Sequence, residues 1–503
     1  MRHLFVGLAF GALVSPAFAG TLTLTSTSPA RLSATAGRTT TVTLEFNLPL
    51  DRTSVGFGTV RVYGRWSGAK RGTFAYSNGD RTLTLNPDRP FSAGETVFVN
   101  LSKDLRAADG SPFRAGGWAW QFAIATGASD FLFHTTDVLS VRNPPAPNPR
   151  IYGGVASDHD LDGWLDLTLV NEDTGDLRVL MNRADGTGLY HPYLDPPSPV
   201  QLGASPNEPA DFDNDGFADL ATANVADASV SIVLGNGDGT FGPQQRVAVG
   251  SVPKGLAVLD VDGDADLDLA VAHLSGNNLA VLLNDGAGVF GAPTFFEGGG
   301  NGEHGLVAGD FDNDGLFDLA VGTLNGQQVI LHLGNGDGTF DAQPATNAGG
   351  AVWMMVAGDL NGDGKLDVTT ANSGSNTGSV LFGNGTTGFG APVTHAAGGF
   401  STATDVGDLD GDGDADWVLS SFGGGLWRVF ENTGGVFTRL FDFPAVSNPG
   451  CAVLLDFDND TRLDLALLDE IADLVTLKRN DGPVAIFADG FESGSTAAWG
   501  VVP

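Results

Sequence analysis

The chain has one cysteine, Cys451, among 503 residues. Disulfides within the chain are excluded, so any cross-linking must come from packing or from bound metal. Cys451 itself, just ahead of an apolar run at 452–455, is expected to be a small buried side chain rather than a reactive thiol. Basic residues are scarce: 25 Lys and Arg stand against 60 Asp and Glu, a formal charge of −35. Nucleic acid and anionic membranes attract the opposite balance and are not expected partners. After residue 19 no apolar run reaches the ~18 residues that a membrane span needs. Catalytic signatures are missing as well. His3, His134, His159, His191, His273, His304, His332 and His395 are scattered, and none stands in a metalloprotease, nucleophile-elbow or Cys/His arrangement.

What the chain does contain is one acidic nonapeptide, D-x-D-x-D-G-x-x-D, repeated seven times at intervals of 48 to 53 residues. A period this regular marks a structural unit copied in series. Positions one, three, five and nine carry oxygen ligands: Asp158, Asp160, Asp162 and Asp166; Asp211, Asp213, Asp215 and Asp219; Asp260, Asp262, Asp264 and Asp268; Asp310, Asp312, Asp314 and Asp318; Asp359, Asn361, Asp363 and Asp367; Asp408, Asp410, Asp412 and Asp416; Asp456, Asp458, Asp460 and Asp464. Packing alone gives no reason for so many carboxylates. Anions this close repel, and a hard cation taking six to eight oxygens resolves the repulsion, so calcium is the expected cofactor. A glycine at position six, such as Gly216, suits a turn at positive φ. Ala265 and Thr461 replace it in the third and seventh loops, which are therefore expected to be the weakest sites.

An EF-hand begins the same way but requires a Glu at position twelve and flanking helices. Position twelve here is Leu169, Thr222 or Val321 in three copies, and the flanks are short Val/Ala/Leu runs bounded by Gly and Asn. Such runs are expected to be buried strands. After each loop the order is strand, polar turn, strand, Gly-rich hairpin and strand, as in 219–223, 229–234, the hairpin ending at Phe241, and 245–249. With the strand before the loop, each repeat holds four strands, the blade of a β-propeller.

Phe290-Gly291-Ala292-Pro293 and Phe389-Gly390-Ala391-Pro392, together with the acidic loops, resemble the FG-GAP or VCBS repeats of integrin α-type propellers. That resemblance covers roughly residues 131–483. It implies a calcium loop between the first two strands of each blade, and ligands docking on loops of the opposite face. The fold class expected is all-β, a seven-bladed propeller over 151–483. Its seventh unit is short of a fourth strand, and residues 136–142, within a linker at 129–150, are expected to complete it from the other end of the chain.

Residues 1–19 have basic, apolar and A-x-A regions in the order of a signal peptide. Residues 20–128 lack the repeat. They alternate apolar and polar residues at 41–46, 59–63, 82–85 and 96–101, as a β-sandwich does. Trp118, Trp120, Phe122 and Ile124 should share its core face. Glu45-Phe46-Asn47-Leu48-Pro49-Leu50 and the later Ala107-Ala108-Asp109-Gly110-Ser111-Pro112-Phe113 resemble a bacterial Ig-like domain of the SbsA type, which implies a spacer or adhesion module. The Pro-rich 143–149 is expected to be a stiff connector. Residues 484–503 read either as a sorting signal or as a frayed end.

Together these features point to an exported protein, secreted or at the cell surface, that binds an extracellular protein or glycan. Asn207, His304, Trp353 and Phe400, near the ends of blade-entry segments, are the candidate ligand contacts. The alternative is a carbohydrate-active enzyme on the same scaffold, such as a polysaccharide lyase or glycosidase. Glu208, Glu297, Glu303 and Glu470 lie outside the metal loops, but a proton donor needs an unusual environment that sequence does not reveal.

Overall fold

A run such as Asp318–Thr323, DLAVGT, is buried on both faces, as a strand must be when sheets stack against both its sides. Each repeat contains at least one such strand. The computed structural model describes residues 20–144, 147–205 and 209–482; segments 1–19 and 484–503 lie outside the described residues. From residue 129 onward it contains seven antiparallel sheets in series, six of four strands and one with a fifth short strand. In the third repeat the order is Pro253–Leu259, Asp268–His273, Asn278–Leu282 and Thr294–Glu297, each pairing with the next.

The first strands of successive sheets meet around a common axis. Pro253–Leu259 packs on Glu303–Gly309, and the series continues through Val352–Gly358, Ser401–Gly407 and Pro449–Leu455 back to Ile151–Ser157. This is a propeller-like arrangement. The last sheet takes its outer strand from the other end of the repeat region: Leu132–Ser140 pairs with Leu474–Asp481, from Leu474 opposite Ser140 to Asp481 opposite Leu132. The strand is longer than residues 136–142 and begins earlier, because the third strand runs on to Asp481 and offers a longer edge. Val141, expected within it, is instead buried in the core just beyond.

Asparagines staple neighbouring sheets. Asn284 Nδ2 donates to Phe212 O of the preceding sheet at 2.7 Å, and Asn432 Nδ2 donates to Leu360 O at 2.8 Å. Asn182 Nδ2 in the first sheet donates to Phe457 O in the last, at 2.8 Å, so the same staple joins the two ends of the series.

Residues 20–123 form two four-stranded sheets whose inner faces share one core, with Leu44, Leu83 and Leu85 from one sheet against Val62, Val99, Trp120 and Phe122 from the other. Among the described residues the only helical element is the 3-10 turn Arg52–Ser54. Trp120, Phe122 and Ile124 are buried as expected. Trp118 is only partly so: its ring reaches the fourth acidic loop beside Gly315 and stacks under the Arg114 guanidinium, 5.1 Å from the ring centre.

This N-terminal module is no detached spacer. It lies across the acidic loops, and basic side chains from it engage most of them. Arg31 Nη1 is 2.8 Å from Asp310 Oδ2, Lys103 Nζ donates to Asp262 O at 2.9 Å, Arg114 Nη1 to Asp314 O at 2.6 Å and Arg38 Nη2 to Asn459 Oδ1 at 2.6 Å. Arg71 bonds Asn214 O, and Arg61 pairs with Asp266. The strong acidity of the repeat face supplies the attraction, and Gly117 against Gly263 lets the backbones touch where a Cβ would not fit.

Candidate functional site

Each acidic loop is organised by its own backbone. In the second, Gly216 N–H donates to Asp211 Oδ2 at 3.1 Å, Asp215 N–H to Asp213 Oδ1 at 3.1 Å and Phe217 N–H to Asp215 Oδ1 at 2.9 Å. Positions one, three and nine bring an oxygen each within 4.8 Å of one another in the triads Asp158/Asp160/Asp166, Asp211/Asp213/Asp219, Asp260/Asp262/Asp268, Asp310/Asp312/Asp318 and Asp408/Asp410/Asp416. The position-five carboxylates stand outside these triads. Asp162, Asp215, Asp264, Asp314, Asp363, Asp412 and Asp460 each accept the backbone N–H two residues on.

Position nine corrects the expectation that carboxylates here serve no packing purpose. Asp219 is fully buried, and its two oxygens accept Phe212 N–H at 2.6 Å and Gly235 N–H at 2.8 Å, tying loop to hairpin. Asp166, Asp268, Asp318, Asp367, Asp416 and Asp464 make the same pair of bonds in their own repeats. The sixteen-residue offset between position nine and the hairpin N–H was a sequence signal that could have exposed this role.

Position six holds positive φ whatever its residue: 101° at Gly216, 73° at Ala265 and 79° at Thr461. Ala265 and Thr461 N–H also donate to the position-one carboxylate, at 2.9 and 2.8 Å. The third and seventh loops thus keep the backbone geometry, at the strain cost of a side chain in the left-handed region. Thr461→Gly is expected to raise stability by about 1 kcal/mol, measured by denaturant unfolding.

The residues fit a hard cation. The donors are all oxygen, and Asp158 Oδ1 and Asp211 Oδ1 are buried with no hydrogen-bond partner. Burial pushes the Asp158 and Asp211 carboxyls up to about 7 and Asp219 to about 8, with neighbouring carboxylates adding to the effect. A divalent cation would supply the charge that keeps them ionised. Asp219→Ala is expected to cost about 2–4 kcal/mol even in chelator, because two buried N–H groups lose their acceptor. Asp215→Ala, whose carboxylate is exposed and holds one turn, should matter mainly when calcium is present; unfolding curves of both variants with and without chelator check this.

The candidate ligand residues lie away from the loops. His304 and Trp353 are in first strands and line a cavity of about 220 Å³ along the axis. Their rings are 4.5 Å apart, and His304 Nδ1 lies 2.6 Å from Trp353 O. Burial drives the His304 imidazole down to about 3, so it is neutral, with Nδ1–H donating and Nε2 unpartnered. Phe400, 38% exposed, packs edge-on against Trp353 at 5.3 Å. Asn207 and Glu208 lie outside the described residues. Arg65, Trp66, Phe98 and Gln121 of the N-terminal module line the loop-side end of the cavity. Cys451 lines it too, within the strand Pro449–Leu455 rather than ahead of it; burial pushes its thiol up to about 12, which keeps it unreactive. Glu297 is exposed on an outer strand. Glu303 is buried and accepts Gly300 N–H at 3.1 Å.

Serial four-stranded sheets around an axis, each carrying an oxygen-rich loop between its first two strands, define a propeller-like repeat protein. The FG-GAP-like repeat model matches at residues 158–222, 211–271, 260–321, 310–370, 359–419 and 408–467, and the chain belongs to that family. A bacterial Ig-like domain model matches residues 19–123. No curated protein matches the chain. Among solved structures, an Agrocybe aegerita lectin described as recognising non-reducing terminal N-acetylglucosamine is 19% identical, covering 78% of this chain and 91% of its own, with a TM-score of 0.43. A putative 6-phosphogluconolactonase from Bacteroides fragilis NCTC 9343 is 16% identical, covering 82% and 99%, with a TM-score of 0.44. Another from Bacteroides uniformis ATCC 8492 is 16% identical, covering 78% and 98%, with a TM-score of 0.46.

Proposed function

We propose that this is an exported, calcium-loaded seven-bladed propeller, capped on its calcium face by an Ig-like sandwich, that binds a glycan or protein outside the cell or at its surface. The observation that carries the reading is the contact of the N-terminal module with most of the acidic loops. With that face covered, the opposite face and its channel mouth are left for a partner. Export rests on the signal-like residues 1–19 and on oxygen-only sites that suit the millimolar calcium of extracellular modules.

Glu470 is a carboxyl that favours the enzyme alternative, since it lines the cavity and burial pushes it up to about 7. Arg150, however, lies 2.7 Å from it and also holds Glu172 at 3.0 Å, which makes Glu470 part of an ion-pair cluster rather than a free proton donor. A glycan and matrix-protein array, run beside turnover assays on a polysaccharide panel, tests the reading. Binding that weakens in Phe400→Ala with calcium affinity unchanged is the expected result. Turnover, or binding that maps only to the Ig-like module, contradicts it.

A further inference from the structure

The repeat frame fixes one position that faces the axis and lets its chemistry vary. Six residues before the first aspartate of each loop stand Tyr152, Ser205, Lys254, His304, Trp353, Thr402 and Gly450, and all seven line the same cavity. They enter the axis at one level, at or next to the start of the first strands, which is the end of the channel away from the acidic loops. Seven equivalent positions with seven different residues form a composite ring, whereas the deeper lining is mainly apolar, with Leu256, Leu306 and Met355 beside Thr404 and Asp405.

Several groups in this ring are left without partners. The Lys254 ammonium makes no ion pair among the described residues and lies 5.5 Å over the Tyr152 ring. The carboxylates that act on it, Glu172 and Glu470, are both held by Arg150. His304 Nε2 and Thr402 Oγ1 are buried and unbonded. Tyr152 Oη accepts Trp353 Nε1–H at 3.2 Å, which leaves its own proton to donate. A buried polar group without a partner is costly, and two of them on the wall of one cavity, beside an ammonium with no ion pair, point to a ligand that satisfies them together.

We propose that the channel mouth binds a single sugar-sized ring carrying a carboxylate, a ligand of the uronic-acid type. This rests on the reading of the protein as a binding protein and names a ligand class for it. Lys254 takes the carboxylate, His304 Nε2 accepts a hydroxyl proton, Thr402 Oγ1 bonds a second hydroxyl, and the aromatic rings pack against the ring's apolar face. A cavity of about 220 Å³ exceeds the ~150 Å³ that admits benzene and suits one sugar ring. A phosphate is matched by arginine forks, and none of the seven ring residues is an arginine.

The test is titration of the calcium-loaded full chain with galacturonate and glucuronate, with galactose and glucose as neutral controls, followed by calorimetry and ligand-observed NMR. The acids should bind at least tenfold tighter than the neutral sugars. Lys254→Met should weaken acid binding on the order of 10- to 100-fold and erase the preference over neutral sugars. Thr402→Val, which removes one hydroxyl at constant shape, should weaken acids and neutral sugars alike. Binding of the free acids, or only of uronate oligosaccharides, supports the site and tells a free ligand from a chain end. Absence of uronate binding in both forms, or acid binding unchanged in Lys254→Met, overturns it. If an array partner still binds Lys254→Met while uronates do not bind the wild type, the channel site fails and the wider binding reading stands.

Discussion

Asp137→Pro combined with Val138→Pro is expected to open the ring, shifting the protein towards aggregates and lowering its stability by roughly 3 kcal/mol or more. Adjacent residues of a strand alternate their N–H direction, so one of the two prolines must remove a bond to Leu474–Asp481. Both side chains are at least partly exposed, and the change leaves the link between the modules at full length. The strand also carries Phe133, which packs on Phe441 and Phe443 at 6.1 and 5.7 Å. Loss of pairing would bare the edge of the last sheet, a template for intermolecular strand addition. Light scattering after size exclusion, with thermal unfolding, checks the outcome. A monomer as stable as the wild type would show that closure does not depend on this strand.

Chelation is expected to have the second large effect. If each loop binds calcium at the ~10⁻⁴ M typical of extracellular modules, about 1 mM calcium stabilises the fold by roughly 1.4 kcal/mol per site. Summed over the loops, its removal should lower Tm on the order of 10 °C or more. The N-terminal module should loosen at the same time, because Arg31, Arg71, Lys103 and Arg114 bond loop carbonyls whose directions depend on loop conformation. Arg31 bears on Asp310 Oδ2, the oxygen already bonded to Gly315 N–H. Oδ1 stays turned towards the loop, so docking and calcium binding are compatible. Small-angle scattering should report a larger radius in chelator, and trypsin should cut sooner at Arg142 and Arg150. An unchanged melting curve and radius would contradict the linkage.

The period of the acidic loops made the sheets legible in the sequence, because Val/Ala/Leu runs at fixed offsets from an aspartate leave little choice of strand position. The outer strand at Leu132–Ser140 was legible for a different reason: the last repeat was one strand short. Its limits were less so, since register is set by the partner edge and not by the strand's own residues. The double role of Asp219 and its equivalents was hidden because a metal ligand and a backbone clamp are the same residue type. The positive φ at Leu161, 61°, was hidden too, although Asn214, Asn313 and Asn459 at the equivalent position carry the usual signature. The docking of the N-terminal module could not be read from local pattern. Arg31 and Asp310 are far apart in sequence, and nothing around Arg31 marks it as different from a solvated charge. Trp353 and His304 were legible as distinctive residues, but their place on the channel wall follows only from counting back from each loop.

Calcium content measures the central claim most directly. After dialysis against about 1 mM calcium and rapid removal of the free ion, elemental analysis of the full chain is predicted to find one calcium for each acidic loop, from that of Asp158 to that of Asp456. A chain that retains no calcium, and whose heat of titration with calcium is zero, would contradict the account.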